Sequence, residues 1–409
     1  MKKVLLCTAV LFGLFAAQAM ADNAKEPIKI GDIAAYTKGA LFAEPYNHGV
    51  KMAVDEINKA GGVLGRPLVV LSRDSKADPG EAVRIAQELQ TRDNVNVLIN
   101  ADFSGTTLAV SSWAKQNHVP MVVCASEADS IIWKQRNDYL ARVDYSGYAW
   151  VSGSIRKAID LYGDRLKNKR WVVIAPNIEF GHSFLQSAKD IAAAHGLNAN
   201  WVGEQWPAYD KLDAGATLVA LEQDKPDVVF TVLWGDDLAK FVREAKKRDF
   251  TKNRIIIAPA IGLPEYFDML GAETPKGWVT VGFPFDEIKT PSFVDFANRY
   301  EIAYHAPLKT YSVIGYDGIQ AIAAAIRKAG STDPEKIRQA FDGLHYPTPF
   351  GEQSLRAIDH QTTLPFWVGL SDVVDGKPKL SNWTEYNVGD NLPSDDGIRA
   401  KGQQSKENK

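Results

Sequence analysis

An apolar run, a stretch with helical spacing and a second apolar run follow one another in VNVLINADFSGTTLAVSSWAKQNHVPMVVCA, residues 95–125. The apolar runs at 95–100 and 121–125 are short and continuous, which is typical of buried strands. Residues 105–117 have the apolar spacing of a helix. A strand, a helix and a second strand in this order predict a parallel β-α-β unit.

The same alternation continues on both sides of this unit. The predicted strands are residues 28–35, 68–71, 95–100, 121–125 and a short segment at 140–143, then 171–175, 200–206, 228–234, 255–259 and 278–283. The predicted helices are residues 47–60, 79–92, 105–117, 184–195, 214–223, 236–248, 263–270, 292–305, 313–329 and 334–342. Residues 354–358 and 366–373 predict two further extended segments. Two consecutive alternating sets predict an α/β protein with two doubly wound domains, each built on a parallel sheet covered on both faces.

The first residues of the chain have the pattern of a secretory signal peptide. Two lysines precede an apolar run at 4–20, and Ala-Met-Ala at 19–21 predicts cleavage after Ala21. No second apolar run in the sequence is long enough to cross a bilayer. We therefore expect an exported, soluble protein.

Composition limits the remaining possibilities. The chain has 409 residues, 45% of them hydrophobic, which is enough for two domains with separate cores. A net charge of −3 gives no electrostatic reason to expect a nucleic-acid partner. Cys7 lies in the predicted leader, so Cys124 alone remains and no internal disulfide is possible. Because Cys124 belongs to an apolar run, we interpret it as an inert buried thiol.

The sequence lacks the common motifs of catalysis and metal binding. Neither the phosphate-binding pattern G-x-x-x-x-G-K-[ST] nor the nucleophile pattern G-x-S-x-G occurs. The glycines of GGVLG at 61–65 follow a predicted helix and indicate a turn that ends it. The seven histidines have no zinc-site spacing. We expect no enzyme activity, no metal and no cofactor.

Five segments together carry a family resemblance. AVDEINKAGGVLGRP at 53–67 is followed by Asp74 and Pro79. The other segments are GYDG at 315–318, AGSTD at 329–333, FG at 350–351 and IDH at 358–360. The chain resembles, over nearly its whole mature length, the periplasmic solute-binding proteins of the branched-chain amino acid type. Those proteins serve ATP-driven (ABC) importers.

The resemblance implies a type I periplasmic binding fold of two lobes joined by three hinge crossings, with a ligand trapped between them. The implied crossings are residues 142–145, 281–284 and 346–350. The implied parts are a signal peptide at 1–21, a first lobe of 22–143 plus 283–347, a second lobe of 144–282 plus 348–390, and a polar tail at 391–409, disordered or loosely laid on the surface. Ligands of doubly wound sheets lie beyond the C-terminal ends of the strands, so two facing edges are expected to form the cleft.

Two loops match the ligand-binding segments of the family. In residues 101–106, Ser104 and the amides of the following helix match the groups that hold a carboxylate, although Ser104 as a simple helix cap is an alternative. In the second loop, Ala125 matches a position whose backbone carbonyl binds ligand, and Ser126 follows it. Glu127 stands where the family has a hydroxyl.

The charges of the expected cleft depart from the family. Ala260 stands where the family has an acid that pairs with the ligand's ammonium. Glu127 then either supplies the missing charge, or the ligand lacks an ammonium. Asp102 is a second acid on the same rim, and solvated surface positions for both acids remain an alternative.

Aromatic residues occupy the other matched positions. Phe42 lies in the first predicted strand-helix loop, and the remaining four are Phe103, Phe180, Trp234 and Tyr311. Ordinary apolar packing is the alternative for each of them. Together they predict a cavity wall suited to a planar or apolar group.

The resemblance therefore implies a periplasmic protein that captures a small organic solute by hinge closure. The expected ligand is an amino acid or a related amide or carboxylate, including aromatic ones. The expected partners are this solute and an inner-membrane ABC permease with its ATPase subunits, and the protein is expected to be a monomer. A periplasmic sensor not coupled to transport is an alternative, because it uses the same clamp. A secreted hydrolase using Ser104 and a distant histidine is a third, which the absent nucleophile motif disfavours.

Overall fold

A computed structural model of the protein describes residues 26–407, with side chains through residue 402. The predicted signal peptide and its cleavage site after Ala21 lie outside the described residues. Within this part of the chain, no helix has the length and apolar character needed to cross a membrane.

Five parallel strands form the first sheet. They are β1 (Ile28–Ala34), β2 (Leu68–Asp74), β3 (Val97–Ala101), β4 (Met121–Ala125) and β5 (Leu140–Arg142), in the order β2-β1-β3-β4-β5. The helices between them are α1 (Ala40–Lys59), α2 (Pro79–Thr91) and α3 (Ser104–Asn117). Every residue of β3 and β4 is buried, as expected of central strands covered on both faces.

Seven strands form the second sheet, in the order β14-β13-β10-β9-β8-β6-β7. The parallel strands are β6 (Arg170–Ile174), β7 (Asn200–Gln205), β8 (Val228–Thr231), β9 (Ile255–Ile257) and β10 (Val279–Gly282). Their helices are α4 (Gly147–Tyr162), α5 (Glu179–Ala194), α6 (Ala214–Gln223), α7 (Gly235–Lys247) and α8 (Pro264–Leu270). The last two strands, β13 (Pro365–Val374) and β14 (Lys377–Asn387), are antiparallel.

The chain returns to the first sheet after β10. It adds α9 (Pro291–Tyr304), α10 (Thr310–Ala329), α11 (Pro334–Ala340) and a hairpin of β11 (His345–Thr348) and β12 (Gly351–Ser354). On β3, Leu98 packs in a cluster with side chains of α2 and α3, whereas Ile99 packs with side chains of α1 and α10. Successive side chains of a strand point to opposite faces, so these helices cover the two faces of the sheet. The prediction of an α/β fold with two doubly wound lobes is confirmed.

Several elements differ from the sequence prediction, and the hairpin of β11 and β12 is one that was not predicted. Helix α4 was not predicted, because glycines at 147 and 153 lower the intrinsic helix propensity of its segment. A Cβ atom at Gly153 would lie 2.8 Å from the ring of Phe366, so close packing against β13 explains that glycine. Strand β14 was also missed, because it alternates mostly polar residues at an edge. Residues 355–358, predicted as extended, belong to no strand, and β12 ends at Ser354.

Helix α1 starts at Ala40, before the predicted start at residue 47. Phe42 therefore lies on this helix and not in the loop before it. Pro45 removes one helical hydrogen bond, but buried Phe42, Ala43 and Tyr46 hold the first turns against the core.

The last part of the polar tail has regular structure, which its composition did not predict. Residues Asp395–Glu407 form a helix, α12. Its Ile398 is buried in the same apolar cluster as Trp133, and Lys401 forms an ion pair of 2.6 Å with Asp190. The sequence did not predict this helix, because a single apolar residue and a single ion-pairing lysine do not distinguish it from a disordered polar segment.

Candidate ligand-binding site

A cavity lies where loops of the two sheets face each other, beyond the ends of β3, β4, β8 and β9. Its volume is about 50 Å³. Nine of the ten residues predicted for the site line it, and Ser126 is the exception. The lining residues are Phe42, Asp102, Phe103, Ser104, Ala125, Glu127, Trp150, Ile178, Phe180, Trp234, Ala260, Leu263, Tyr266 and Tyr311.

The start of α3 presents unpaired polar groups to this cavity. Ser104 is the first helical residue, and the N-cap position belongs to Phe103, which makes no side-chain cap. Ser104 is therefore not a simple helix cap. Among the described residues, its hydroxyl and the amides of Ser104 and Gly105 have no hydrogen-bond partner. Unpaired amides at a helix start are suited to an anion or a carbonyl oxygen.

Asp102 is held beneath this helix start. Its carboxylate accepts hydrogen bonds from the Ser75 hydroxyl and, at 2.7 Å, from the backbone amide of Phe103. The residue is 1% exposed, so the alternative of a solvated surface acid is wrong. Burial raises the pKa of Asp102 to about 7, against the lowering effect of these two hydrogen bonds.

This shift predicts how the free energy of unfolding depends on pH. The folded state binds the Asp102 proton more tightly than the unfolded state, so its stabilising effect is complete below about pH 4 and is lost as pH rises to about 7. The variant Asp102→Asn carries no charge. We expect it to gain stability relative to the unmodified protein between about pH 4 and 8, by at most about 4 kcal/mol at 1.4 kcal/mol per unit of pKa.

Urea unfolding of both proteins at several pH values tests this expectation. Asp138→Asn is the matched control, because the Asp138 side chain is 58% exposed. A stability difference that does not vary with pH would show that Asp102 keeps an ordinary pKa in the folded protein.

Glu127 and Tyr311 form a second polar group of the cavity. The Tyr311 hydroxyl donates a hydrogen bond of 2.7 Å to the Glu127 carboxylate, which is 8% exposed and so is not a solvated acid either. Burial raises the pKa of Glu127. Burial, followed by the charge of Glu127, raises the pKa of neighbouring Asp144 well above its usual range. The cavity therefore has acidic groups, and none of its lining residues is Lys, Arg or His.

Ser126 supports the site from behind. Its hydroxyl donates to the Asp102 carbonyl at 2.7 Å and lies 2.6 Å from the Thr107 hydroxyl. Its amide donates to the Asp144 carboxylate at 2.8 Å. Ser126 thus ties the loop after β4 to the loop after β3 without facing the cavity.

Aromatic rings meet across the cleft. Phe103, from the first sheet, lies edge-on to Trp234 and to Tyr209, both from the second, with ring centres 5.2 Å apart in each pair. Tyr209 stacks on Trp234 at 4.6 Å. On the other side of Phe103 the ring of Phe42 lies 6.1 Å away, and Phe42 contacts Tyr311 at 5.5 Å. The cavity is therefore closed on this side by rings from both sheets.

Four lining residues were not predicted. Trp150 lies on α4, a helix absent from the sequence prediction, so no pattern placed it near the cleft. Ile178 precedes α5, and Leu263 and Tyr266 lie at the start of α8. Leu263 and Tyr266 follow β9. Their position after a strand end could have predicted that they line the cleft, but apolar residues there are equally typical of the core.

The chemistry of the cavity is that of noncovalent binding. No histidine lines it, so the alternative of a hydrolase that uses Ser104 with a histidine has no support there. In the described part of the chain, no group of three or more His, Cys, Asp or Glu side chains is placed to hold a metal. Apolar walls with a few polar groups are typical of sites for small organic molecules.

Two doubly wound lobes that enclose such a cavity define a two-lobed solute-binding protein. The sequence model described as "Periplasmic binding protein" matches residues 27–376. The chain belongs to this family. The family implies a periplasmic location, and the family and its structural neighbours are substrate-binding proteins and not enzymes. Substrate-binding proteins of ABC transporters bind small ligands and work with a permease.

Known proteins similar to this chain agree with the assignment. Leu/Ile/Val-binding protein homolog 7 of Brucella abortus is 25% identical over 344 residues, which are 82% of this chain and 86% of that protein. An amino acid ABC transporter substrate-binding protein of Pseudomonas fluorescens has a TM-score of 0.79 and 22% identity, covering 92% of this chain and 99% of its own. A Rhodopseudomonas palustris ABC solute-binding protein in complex with 3,4-dihydroxybenzoic acid has a TM-score of 0.76 and 23% identity, covering 89% and 98%.

Proposed function

We propose that this protein is the periplasmic component of an ABC importer and captures a small organic solute by closure of its two lobes. The observation that carries the proposal is the cavity itself, where unpaired groups of α3, a buried acid and aromatic rings from both lobes converge. Its volume of about 50 Å³ is well below the 300–1,000 Å³ of typical ligand pockets, so the lobes must separate to admit a solute.

The hinge follows from the sheet connections. We keep the expected lobes, 22–143 plus 283–347 and 144–282 plus 348–390, and the crossings at 142–145 and 281–284, except that the boundary after residue 347 moves later in the chain. The hairpin of β11 and β12 packs on α10 of the first lobe, which favours a third crossing in residues 355–364, later than the expected 346–350. Signal peptide cleavage after Ala21 and a monomeric state complete the proposal.

The polar groups of the cavity suggest where each end of the solute lies. Ser104 and the amides at the start of α3 are placed to hold a carboxylate or amide oxygen. Glu127 is placed to accept from an ammonium or another strong donor, because Ala260 leaves the second lobe without an acid at that position. The Leu/Ile/Val-binding relative supports an amino acid, and the dihydroxybenzoate complex supports an aromatic carboxylate.

A thermal-shift screen of amino acids, their amides and aromatic carboxylates tests the proposed function. A solute present at a hundred times its dissociation constant stabilises the protein by about 2.7 kcal/mol, which shifts the unfolding temperature measurably. Stabilisation by one class and not the others is the expected result. If none of these classes shifts the transition, the proposed ligand chemistry is wrong.

Replacing Glu127 with glutamine tests its role as the acceptor of the solute's donor. If the solute carries an ammonium, we expect the variant to bind it about 10-fold more weakly, because charge-assisted hydrogen bonds are about twice as strong as neutral ones. Calorimetric titration with the solute and its deamino analogue measures the coupling between the two groups. Glu204→Gln, on a partly exposed acid of β7, is the control. Additive effects of the variant and the analogue would exclude direct pairing.

A further inference from the structure

Glu265 is a buried acid that connects the two lobes. It lies on α8 of the second lobe, between Leu263 and Tyr266, which line the cavity, but it does not line the cavity itself. The residue is 2% exposed. Its carboxylate accepts a hydrogen bond of 3.1 Å from the backbone amide of Tyr311 in the first lobe.

The amide that Glu265 binds is at the start of a long helix. Helix α10 has 20 residues, and its N-cap, Lys309, makes no side-chain cap. The first amides of a helix need partners from outside it, and an acidic group near them is stabilising. Glu265 supplies this partner from the opposite lobe, so the contact exists only when the lobes are together.

A second contact joins the same two elements at the surface. Lys309 forms an ion pair with Asp268 of α8, and its ammonium lies 3.4 Å from the Pro264 carbonyl. The Asp268 side chain is 61% exposed, and exposed ion pairs contribute little. The buried contact of Glu265 is therefore the stronger of the two.

The partner of Glu265 also faces the cavity. The backbone amide of Tyr311 donates a hydrogen bond to the Glu265 carboxylate. The Tyr311 hydroxyl donates a second hydrogen bond, of 2.7 Å, to the Glu127 carboxylate. Glu265 and Tyr311 thus connect the second lobe to Glu127, an acid of the cavity wall. Ala260 leaves the cavity wall of the second lobe without an acid, whereas Glu265, five positions later, directs its carboxylate to the first lobe.

We propose that Glu265 is a positioning residue that holds the lobes together and, through Tyr311, places Glu127 for the solute. This inference rests on the proposed function for the role of Glu127, but the contact between the lobes is tested without any solute. When the lobes separate, Tyr311 loses its partner on α8, and the hydroxyl that orients Glu127 is released with it. Closure of the lobes and the orientation of Glu127 in the cavity wall are therefore coupled.

The test measures the distance between the lobes in the protein without added solute. Spin labels at exposed positions of α2 and α7 report the closed and open populations by pulsed electron resonance. We expect a detectable closed fraction in the unmodified protein, and a closed-to-open ratio about tenfold lower in Glu265→Ala, since the buried hydrogen bond between the lobes is lost. Glu265→Gln keeps an acceptor and should restore most of the closed fraction. Asp268→Asn, at the exposed ion pair, is the matched control and should change the ratio less than twofold.

Hydrogen exchange at the Tyr311 amide provides an independent readout. We expect faster exchange of this amide in Glu265→Ala and near-normal exchange in Glu265→Gln. A general loss of stability would instead speed exchange at many amides. The proposal is overturned if the unmodified protein has no closed fraction, or if Glu265→Ala keeps the lobe distances and the Tyr311 exchange of the unmodified protein. Failure of the solute screen, by contrast, would refute the ligand chemistry of the proposed function and leave these measurements unaffected.

Discussion

Replacing Trp234 with alanine is expected to weaken solute binding by about 2–4 kcal/mol, which is a 30-fold to 1,000-fold rise in the dissociation constant. Trp234 is the N-cap residue of α7 and lines the cavity from the second lobe. It stacks on Tyr209 and meets the edge of Phe103 from the first lobe. Its removal therefore deletes both a wall of the cavity and a contact that closes it.

Titration calorimetry with the solute found by the screen measures this effect. Trp206→Ala is the matched control, because Trp206 lies on the same lobe and stacks on His182 away from the cavity. We expect the control to leave the dissociation constant within about twofold. Equal losses in the two variants would mean that Trp234 acts through general stability and not through the cavity.

Replacing Arg142 with methionine is expected to lower the free energy of unfolding by about 3–5 kcal/mol, because it leaves buried partners unpaired. The Arg142 side chain is fully buried at the end of β5. Its guanidinium donates to the Asp129 carboxylate at 2.7 Å and to the Gln361 side chain at 2.5 Å. It also donates to the carbonyls of Ser126 and Ala128 at 3.1 and 3.0 Å.

Arg142 also lies at a contact between two parts of the proposed hinge. The residue forms a β-bridge with Gln361, so it joins two of the proposed hinge crossings. Denaturant unfolding compares the variant with Arg84→Met, in which the replaced side chain is 54% exposed and its ion pairs with Glu81 and Glu88 contribute little. A loss below about 1 kcal/mol in Arg142→Met would show that the guanidinium does not hold the crossings together.

Periodicity predicted the central parallel strands because their residues are buried on both faces. The run at β4 is apolar throughout, and burial of Cys124 within it agrees with the inert thiol that was expected. The same argument failed for α4 and β14. In α4 the packing of Gly153 against Phe366 overrides a weak helix propensity, and in β14 the pattern of an exposed edge is mostly polar.

The candidate site was predictable where it lies at strand ends. Ser104 and Glu127 follow β3 and β4 directly, and parallel strands place such residues at one edge. Contacts between the lobes were not predictable in this way. The hydrogen bond from Tyr311 to Glu265 joins residues 46 positions apart on different lobes, and no local pattern encodes it. Burial likewise distinguishes Asp102 from a solvated acid, and burial at a loop depends on what the opposite lobe covers.

Small-angle X-ray scattering with and without saturating solute tests the central claim, that two lobes close on a small molecule. We expect the radius of gyration to fall when solute is added, because binding shifts the population from separated lobes to the closed arrangement of Phe103, Tyr209 and Trp234. A radius of gyration that stays unchanged at saturation would contradict closure as the binding mechanism.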